Sequence, residues 1–414
     1  MQRLAAVAGY KPLLAARIVS SLTVWLDATV VFSLLAFHWG ADATAAGVAA
    51  SLFVIPVLVG GPFFGWLADR ANPAAMLVAG YSARGITSLL LLMAPDLSVF
   101  VLLVMLKALA NASALPPEQV MVRSMLSQAQ LAANAGLMTA ADQITKVCAP
   151  LIAAGTTALY GPMSGLWISA GLSLLAIGCL VPLRDRARPD SAPSTSARGA
   201  LRLGPLVALL RGSHAVRVSF GCVFTLTATY GLYDPLLALL MKSQGLPASA
   251  FGMLVSGTAA GAVCGALAFP RLYRWCGILL APPGLAVVGL TVLIPGVLAG
   301  SGIGLPEMLW LGLWVVNGCA YCLACLSQAV AIQQQCPRHC LGSVSATARS
   351  VQLVALVLAP LLGGMLARKI GIPLVFALSG GLAVAGGWFW ARRAQRGHAG
   401  RQTGQSANRE QAGP

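Results

Sequence analysis

Residues 184–200 read RDRARPDSAPSTSARGA, and no apolar run can be drawn through them. Arginine, proline and serine in that mixture are the composition of a linker. Going outward from it toward the N-terminus, mostly apolar runs fall at 163–183, 134–159, 97–121, 74–94, 44–68 and 13–37. Toward the C-terminus they fall at 215–241, 247–269, 277–299, 305–334, 343–367 and 371–391. A helix that crosses a bilayer needs about 20 such residues. The pattern therefore predicts an all-α membrane protein of twelve transmembrane helices in two six-helix bundles. The N-terminal bundle is expected over 1–183 and a cytoplasmic linker over 184–213, within which Leu201–Arg211 suits a short amphipathic surface helix. The C-terminal bundle is expected over 214–392, with a polar, disordered tail over 393–414. The first run follows Arg3, Lys11 and Arg17, exceeds a signal-peptide core and shows no cleavage pattern, so it reads as a retained first helix.

Composition points the same way. Hydrophobic residues make up 58% of the chain and charged ones only 9%, against roughly a quarter charged in soluble domains. So few charges cannot clothe a soluble surface of this size. The net charge of +16 does not indicate nucleic acid, because the cations sit in short segments between apolar runs and form no basic stripe interleaved with aromatics. Arg70, Arg123, the linker, Arg271, Arg274, Arg338, Arg392, Arg393 and Arg396 fall on one side, while the connections at 38–43, 95–96, 160–162 and 300–304 hold no Lys or Arg. The positive-inside rule then makes both termini cytoplasmic in a multi-pass protein of a bacterial inner membrane. Lys242 and the pair Arg368/Lys369 fall on the other side, a placement that snorkelling at helix ends tolerates.

Ten cysteines are present, and most lie inside apolar runs, where they act as small hydrophobes. Cys319, Cys322 and Cys325 share a helical face, with Cys336, His339 and Cys340 beyond. A zinc site wants four convergent ligands, usually on turns, so this spacing reads as packing, with no metal and no cofactor expected. There is no Walker-type phosphate loop, no nucleophile elbow and no paired hydrolytic carboxylates. An enzyme is not indicated.

Residues 65–70, Gly-Trp-Leu-Ala-Asp-Arg, follow the second run. They resemble the loop signature of the major facilitator superfamily. The resemblance implies the major facilitator fold, with Gly65, Asp69 and Arg70 latching the cytoplasmic gate. The further basic residues usual there are replaced by Ala71-Asn72-Pro73. Ala16-Arg17-Ile18-Val19-Ser20, Pro56 with Pro62, Ser82-Ala83-Arg84, Leu126-Ser127 with Leu131 and Asn134, and Cys336-Pro337 with Leu341-Gly342-Ser343-Val344 are similar to the macrolide-efflux and siderophore-exporter branch. Lysophospholipid flippases have similar loops. In the superfamily the first and fourth spans line a central cavity.

An ionisable residue inside a span costs at least about 2.5–3.5 kcal/mol and is a functional candidate for that reason. Asp27, in Trp25-Leu26-Asp27, is read either as a proton-coupling carboxylate facing a wet pathway or as a structural hydrogen bond to a neighbouring helix. Lys107, in the fourth span, either neutralises Asp27 or meets an anionic substrate group. Asp142 and Lys146 are spaced to pair along one helix, with proton relay through Asp142 the alternative. Arg84 reads as a structural pair, and Asp234 as a helix-end charge or gate residue. Asn317, Tyr321 and Gln328 are candidates for cavity lining, and Trp25, Tyr230, Trp310 and Trp314 for an apolar surface. Gly257, Gly261 and Gly265 repeat every four residues, the pattern of a tight helix contact.

The expectation is a monomeric secondary active transporter that exports a small amphipathic molecule, a siderophore or drug-like compound, by proton antiport. Its partners are the substrate, protons and the lipid bilayer, not nucleic acid. The rivals are a lipid translocase of similar fold, and a membrane sensor or assembly partner that transports nothing.

Overall fold

The computed structural model describes residue 7 and residues 9–68, 70–126, 128–183, 203–336 and 341–411. Every regular element among them is a helix. In the first half, α1 (Tyr10–Ser33) runs into a π-helical turn at Leu34–His38, followed by α2 (Ala43–Ala68), α3 (Pro73–Leu92), α4 (Leu97–Met125), α5 (Gln128–Tyr160) and α6 (Ser164–Leu180). A short α7 (Leu203–Gly212) precedes α8 (His214–Tyr233), α9 (Leu237–Ser243), α10 (Ala248–Cys276) and α11 (Ala281–Gly300). Then come α12 (Glu307–Gln335), α13 (Leu341–Ile370) and α14 (Ile372–Gln411).

Local chemistry sets several of these starts. The Asn72 side chain accepts from the Ala74 amide at 2.9 Å with Pro73 in the first turn, Asp96 accepts from Val99 at 2.9 Å, and Ser213 accepts from Val216 at 3.3 Å. A side-chain oxygen at these positions satisfies amides that have no partner within the helix. Among the described residues 11 helical stretches are long and apolar enough to span a bilayer, with α8 and α9 forming one of them. The twelfth is the apolar part of α5, Ile144–Tyr160; its preceding turns carry Asn134 and Asp142, which dilute the apolar signal. The chain is thus an all-helical membrane protein of the twelve-helix kind expected. Residues 184–202 of the expected linker lie outside the described residues. The backbone of α14 runs as helix to Gln411.

The chain forms two compact units. One comprises residues 1–200 together with Pro235–Ser256 and Pro360–Arg368; the other comprises Leu201–Asp234, Gly257–Ala359 and Lys369–Pro414. In the first, α1 packs on α5 and α6, α3 on α4 and α6, and α2 on α4. Close approach depends on small residues. A methyl group on Gly165 would collide with Val30, and one on Gly80 would stand 2.8 Å from the Ser113 hydroxyl.

Two apolar clusters fill this unit. One contains Leu26, Val30, Leu34, Leu91, Phe100, Val104 and Leu166; the other contains Leu13, Ala16, Leu77, Tyr81, Ala114, Met121, Ala176 and Leu180. On α3, α4 and α6 the buried polar residues lie between the two sets of apolar positions: Arg84 and Ser88, Lys107, Ser169 and Ser173. On α1, Ser20 and Asp27 hold the corresponding stretch. Spacings of four, or of seven on α1, keep each pair on one helical face. The sequence thus builds a polar layer across the middle of an otherwise apolar bundle.

In the second unit α11 packs along α14, and α8 contacts α11, α12 and α14. The glycine face of α10 meets α12: a methyl on Gly257 would lie 2.6 Å from Leu311, one on Gly265 would lie 2.6 Å from the Cys319 carbonyl, and one on Gly261 would overlap the Val315 carbonyl. The surface helix expected at Leu201–Arg211 is α7, and it anchors through Leu206, which is buried beside Val216, Ile332 and Val344.

Candidate functional site

The polar layer of the first unit has a charged centre. Lys107 Nζ lies 2.9 Å from Asp27 Oδ1, and both side chains are 0% exposed. The ammonium also donates to the Ser88 hydroxyl and, at 3.0 Å, to the Ser169 hydroxyl. Apart from that ammonium, no donor among the described residues reaches either Asp27 oxygen. One turn from Ser88, Arg84 donates through Nε to Ser173 at 3.2 Å and through Nη1 to Ser20 Oγ at 2.9 Å, with its guanidinium 4.9 Å from the Tyr81 ring centre. Its Nη2 has no hydrogen-bond partner among the described residues. Two cations and one carboxylate are therefore shut inside four helices. In so low a dielectric, unpaired charge is severely penalised, so these groups hold one another in place. Of the two readings of Asp27, the contact to a neighbouring helix describes this arrangement: the carboxylate points into the bundle and meets Lys107. Lys107, in turn, is fully buried against Asp27, Ser88 and Ser169.

A second cluster on the same bundle is partly open. Arg17 on α1 places Nη1 2.9 Å from Glu118 Oε2 on α4 and Nη2 3.5 Å from Asp142 Oδ2 on α5. The side chains are 21%, 13% and 34% exposed, so Asp142 is the most accessible of the three. Ser21 Oγ donates to Asp142 Oδ1 at 2.6 Å and lies 2.8 Å from Thr145 Oγ1. Nearby along α1, Tyr10 donates to Asn134 Oδ1 at 2.7 Å. The local spacing suggested that Asp142 pairs with Lys146. The Asp142 carboxylate is held from another helix by Arg17 and Ser21, and Lys146 Nζ stands 4.8 Å from the ring centre of Trp25.

Glu118 and the bridging role of Arg17 were missed by the sequence reading. Pro116 and Pro117 fall inside the run at 97–121, and α4 continues through both prolines to Met125. The usable signal was periodicity. Glu118 lies eleven residues beyond Lys107, three helical turns along the same stripe.

The remaining candidates stand apart. Asn317 donates to Thr291 at 2.7 Å and is buried, tying α12 to α11. Tyr321 packs on Tyr230 with ring centres 5.9 Å apart, and Gln352 donates to Gln328 at 2.9 Å. Trp310 and Trp314 are buried against each other. In the loop after α2, Arg70 lies over the Trp66 ring at 4.6 Å and donates to the Trp66 carbonyl at 3.3 Å. Gly65 is half-buried, with no atom within 4 Å of where a methyl would stand, and Asp69 lies outside the described residues. Among the described residues no three His, Cys, Asp or Glu side chains converge on a common point; His339 and Cys340 lie outside them.

Comparison with known proteins agrees with this architecture. Residues 13–357 match the family described as Major Facilitator Superfamily. The chain is 25% identical over 386 residues to YfiS of Bacillus subtilis (strain 168), an uncharacterized MFS-type transporter, with 91% of each chain covered. Among solved structures it is similar in fold to the peptide transporter POT in complex with sulfate, at a TM-score of 0.70 and 16% identity, covering 95% of this chain and 98% of that one. It is likewise similar to the nucleoside transporter NupG, at 0.68 and 14%, covering 92% and 98%. A bacterial homologue of the iron transporter ferroportin in an inward-facing state gives 0.68 and 17%, covering 92% and 98%. At such identities these likenesses bear on fold alone.

Proposed function

Because the chain belongs to the Major Facilitator Superfamily, a family of membrane transporters, we propose that it exports a small amphipathic molecule, a siderophore or drug-like compound, by proton antiport and alternating access. The observation that carries the proton step is Arg17 shared between two carboxylates on different helices. One guanidinium cannot fully neutralise both. Glu118 holds it at the shorter distance, so Asp142, longer in its contact and more exposed, is the group that exchanges a proton with water.

Protonation of Asp142 removes the charge that attracts Arg17 and leaves the guanidinium to Glu118. The Ser21 hydroxyl, which donates to Asp142 in the charged state, can then turn to Thr145. Gain or loss of one proton thus changes what joins α1 to α5. A proton that binds two conformations with different affinity shifts their balance, which is the physical requirement for coupling. Asp27 is assigned the structural role of anchoring the bundle, and Asp142 alone carries the exchange. Siderophore-like cargo rests on the sequence resemblance of the loops, and the cytoplasmic membrane with both termini inside rests on the loop charges.

The test uses the full chain reconstituted in liposomes with a pH-sensitive dye inside, screened against a panel of siderophores and drug-like compounds. A substrate should drive proton movement through the wild type. Asp142→Asn should still move that substrate down its gradient but without proton flux. Undiminished proton-driven transport by Asp142→Asn would remove this residue from the mechanism.

A further inference from the structure

Three pairs of residues spaced by four close the apolar part of α14. Trp390 and Ala394 face inward. Ala394 is buried in one cluster with Val218 of α8 and Ala281 of α11, the Trp390 indole donates to Thr225 at 3.4 Å, and a methyl on Gly221 would collide with its ring. Trp388 with Arg392, and Phe389 with Arg393, face outward. Trp388 is 58% exposed and Phe389 45%. The Arg392 guanidinium lies 3.5 Å from the Trp388 ring centre, and that of Arg393 4.8 Å from the Phe389 ring centre. At 3.5 Å only a face-on stack fits, which steadies the guanidinium and leaves its N–H edge free for an acceptor.

Depth and charge narrow what that acceptor can be. The apolar run 372–391 rises about 30 Å as a helix, the thickness of the hydrocarbon core. Arg392 and Arg393 therefore stand at the level of the lipid phosphates, with Trp388 and Phe389 one turn deeper, beside the upper acyl chains. Among the described residues no carboxylate pairs with either arginine. The same holds for three more exposed arginines at this end: Arg217 in the first turn of α8, and Arg271 and Arg274 in the last turns of α10, ahead of the turn Gly277–Leu280 that contacts α14. Between residues 203 and 395 the only carboxylates are Asp234, at the far end of α8, and Glu307, at the start of α12. Guanidiniums gathered without counter-charge repel one another and draw an external anion.

We propose that α14 carries a binding site for an anionic phospholipid, in which Arg392 and Arg393 hold the headgroup phosphate and Trp388 and Phe389 cover the first carbons of its chains. A zwitterionic lipid brings its own ammonium into the same positive field and is disfavoured. Free phosphate has no chains to lay against the two rings. The inward pair Trp390 and Ala394 fixes the helix against its neighbours, so the outward pairs form a set surface. The rule that gathers cations at this end of the spans does not by itself stack them on exposed rings.

The experiment is native mass spectrometry of the purified full chain in detergent, titrated with phosphatidylglycerol or with phosphatidylcholine of the same chains. It needs neither cargo nor a proton gradient and is independent of Asp142. The first phosphatidylglycerol should bind about thirtyfold tighter than the first phosphatidylcholine, at about fivefold for each of two cations at the headgroup. Arg392→Gln/Arg393→Gln should abolish this preference. Arg271→Gln/Arg274→Gln, which removes the same charge from α10, should keep most of it. Both pairs are exposed, and both variants should retain the wild-type thermal midpoint. Inorganic phosphate at equal concentration should not displace the lipid. The proposal is overturned if the wild type binds both lipids alike, if Arg392→Gln/Arg393→Gln keeps the preference, if Arg271→Gln/Arg274→Gln loses as much of it, or if inorganic phosphate displaces the lipid.

Discussion

Replacing Lys107 by Met keeps the volume of the side chain and removes its charge. Asp27 would then face a site with 0% exposure and no remaining donor on either oxygen. Removing one partner of a buried ion pair costs about 3–5 kcal/mol. The two serines add little, because Ser88 and Ser169 lie 3.0 Å apart and can bond to each other once Nζ is gone. Arg84 remains in the layer as a second cation, which favours the lower end, so the expected loss for Lys107→Met is about 3 kcal/mol. Asp27→Leu should cost less, about 2 kcal/mol, since Lys107 keeps both hydroxyl partners. Removing both charges should be close to neutral, because a dry apolar contact replaces a desolvated pair. The singles and the double variant therefore form a cycle with a coupling of about 5 kcal/mol. Unfolding the purified protein in mixed micelles with SDS, followed by far-UV circular dichroism, gives each difference. Additive single variants, or a Lys107→Met protein within 1 kcal/mol of the wild type, would refute the claim that this pair is the dry anchor of the bundle.

Other substitutions probe separate contacts. Gly261→Ala drives a methyl into the Val315 carbonyl and should destabilise by about 2 kcal/mol or more; Gly312→Ala on the same contact partner, α12, has open space and should be neutral or slightly stabilising, both read from the same SDS titration. Arg17→Gln should destabilise by about 1–2 kcal/mol by leaving Glu118 without its cation, whereas Glu118→Gln, which keeps a hydrogen bond to Arg17, should cost about half that. Tyr10→Phe deletes the 2.7 Å bond to Asn134 and should cost about 1 kcal/mol, visible as a lower thermal midpoint by size-exclusion fluorescence.

The helices were legible because lipid imposes a blunt requirement: about 20 apolar residues for each crossing. Each run near the linker and beyond became one helix or, at 215–241, a helix broken at Asp234–Leu236. The glycine face at 257, 261 and 265 was legible for a similar reason, since only hydrogen at those positions admits a neighbouring backbone. The charged clusters were harder. That Asp27, Lys107, Arg84 and Asp142 deserved attention followed from the cost of charge at depth. Which of them meet did not, because pairing depends on how α1 is rotated against α4 and α5. Local spacing offered Asp142 to Lys146, and the tertiary fold gave it to Arg17. Glu118 lies toward the end of the run at 97–121, and its pairing with Arg17 likewise depends on how α1 meets α4.

The midplane polar layer has a consequence for biogenesis. Asp27 is synthesised eighty residues before Lys107, roughly 4–16 s at ordinary elongation rates of 5–20 residues per second. Through that interval the first hydrophobic segment carries a carboxylate with no counter-charge and is reluctant to enter lipid by about 2.5–3.5 kcal/mol. The apolar residues of that segment must outweigh this cost until the fourth segment emerges and supplies Lys107.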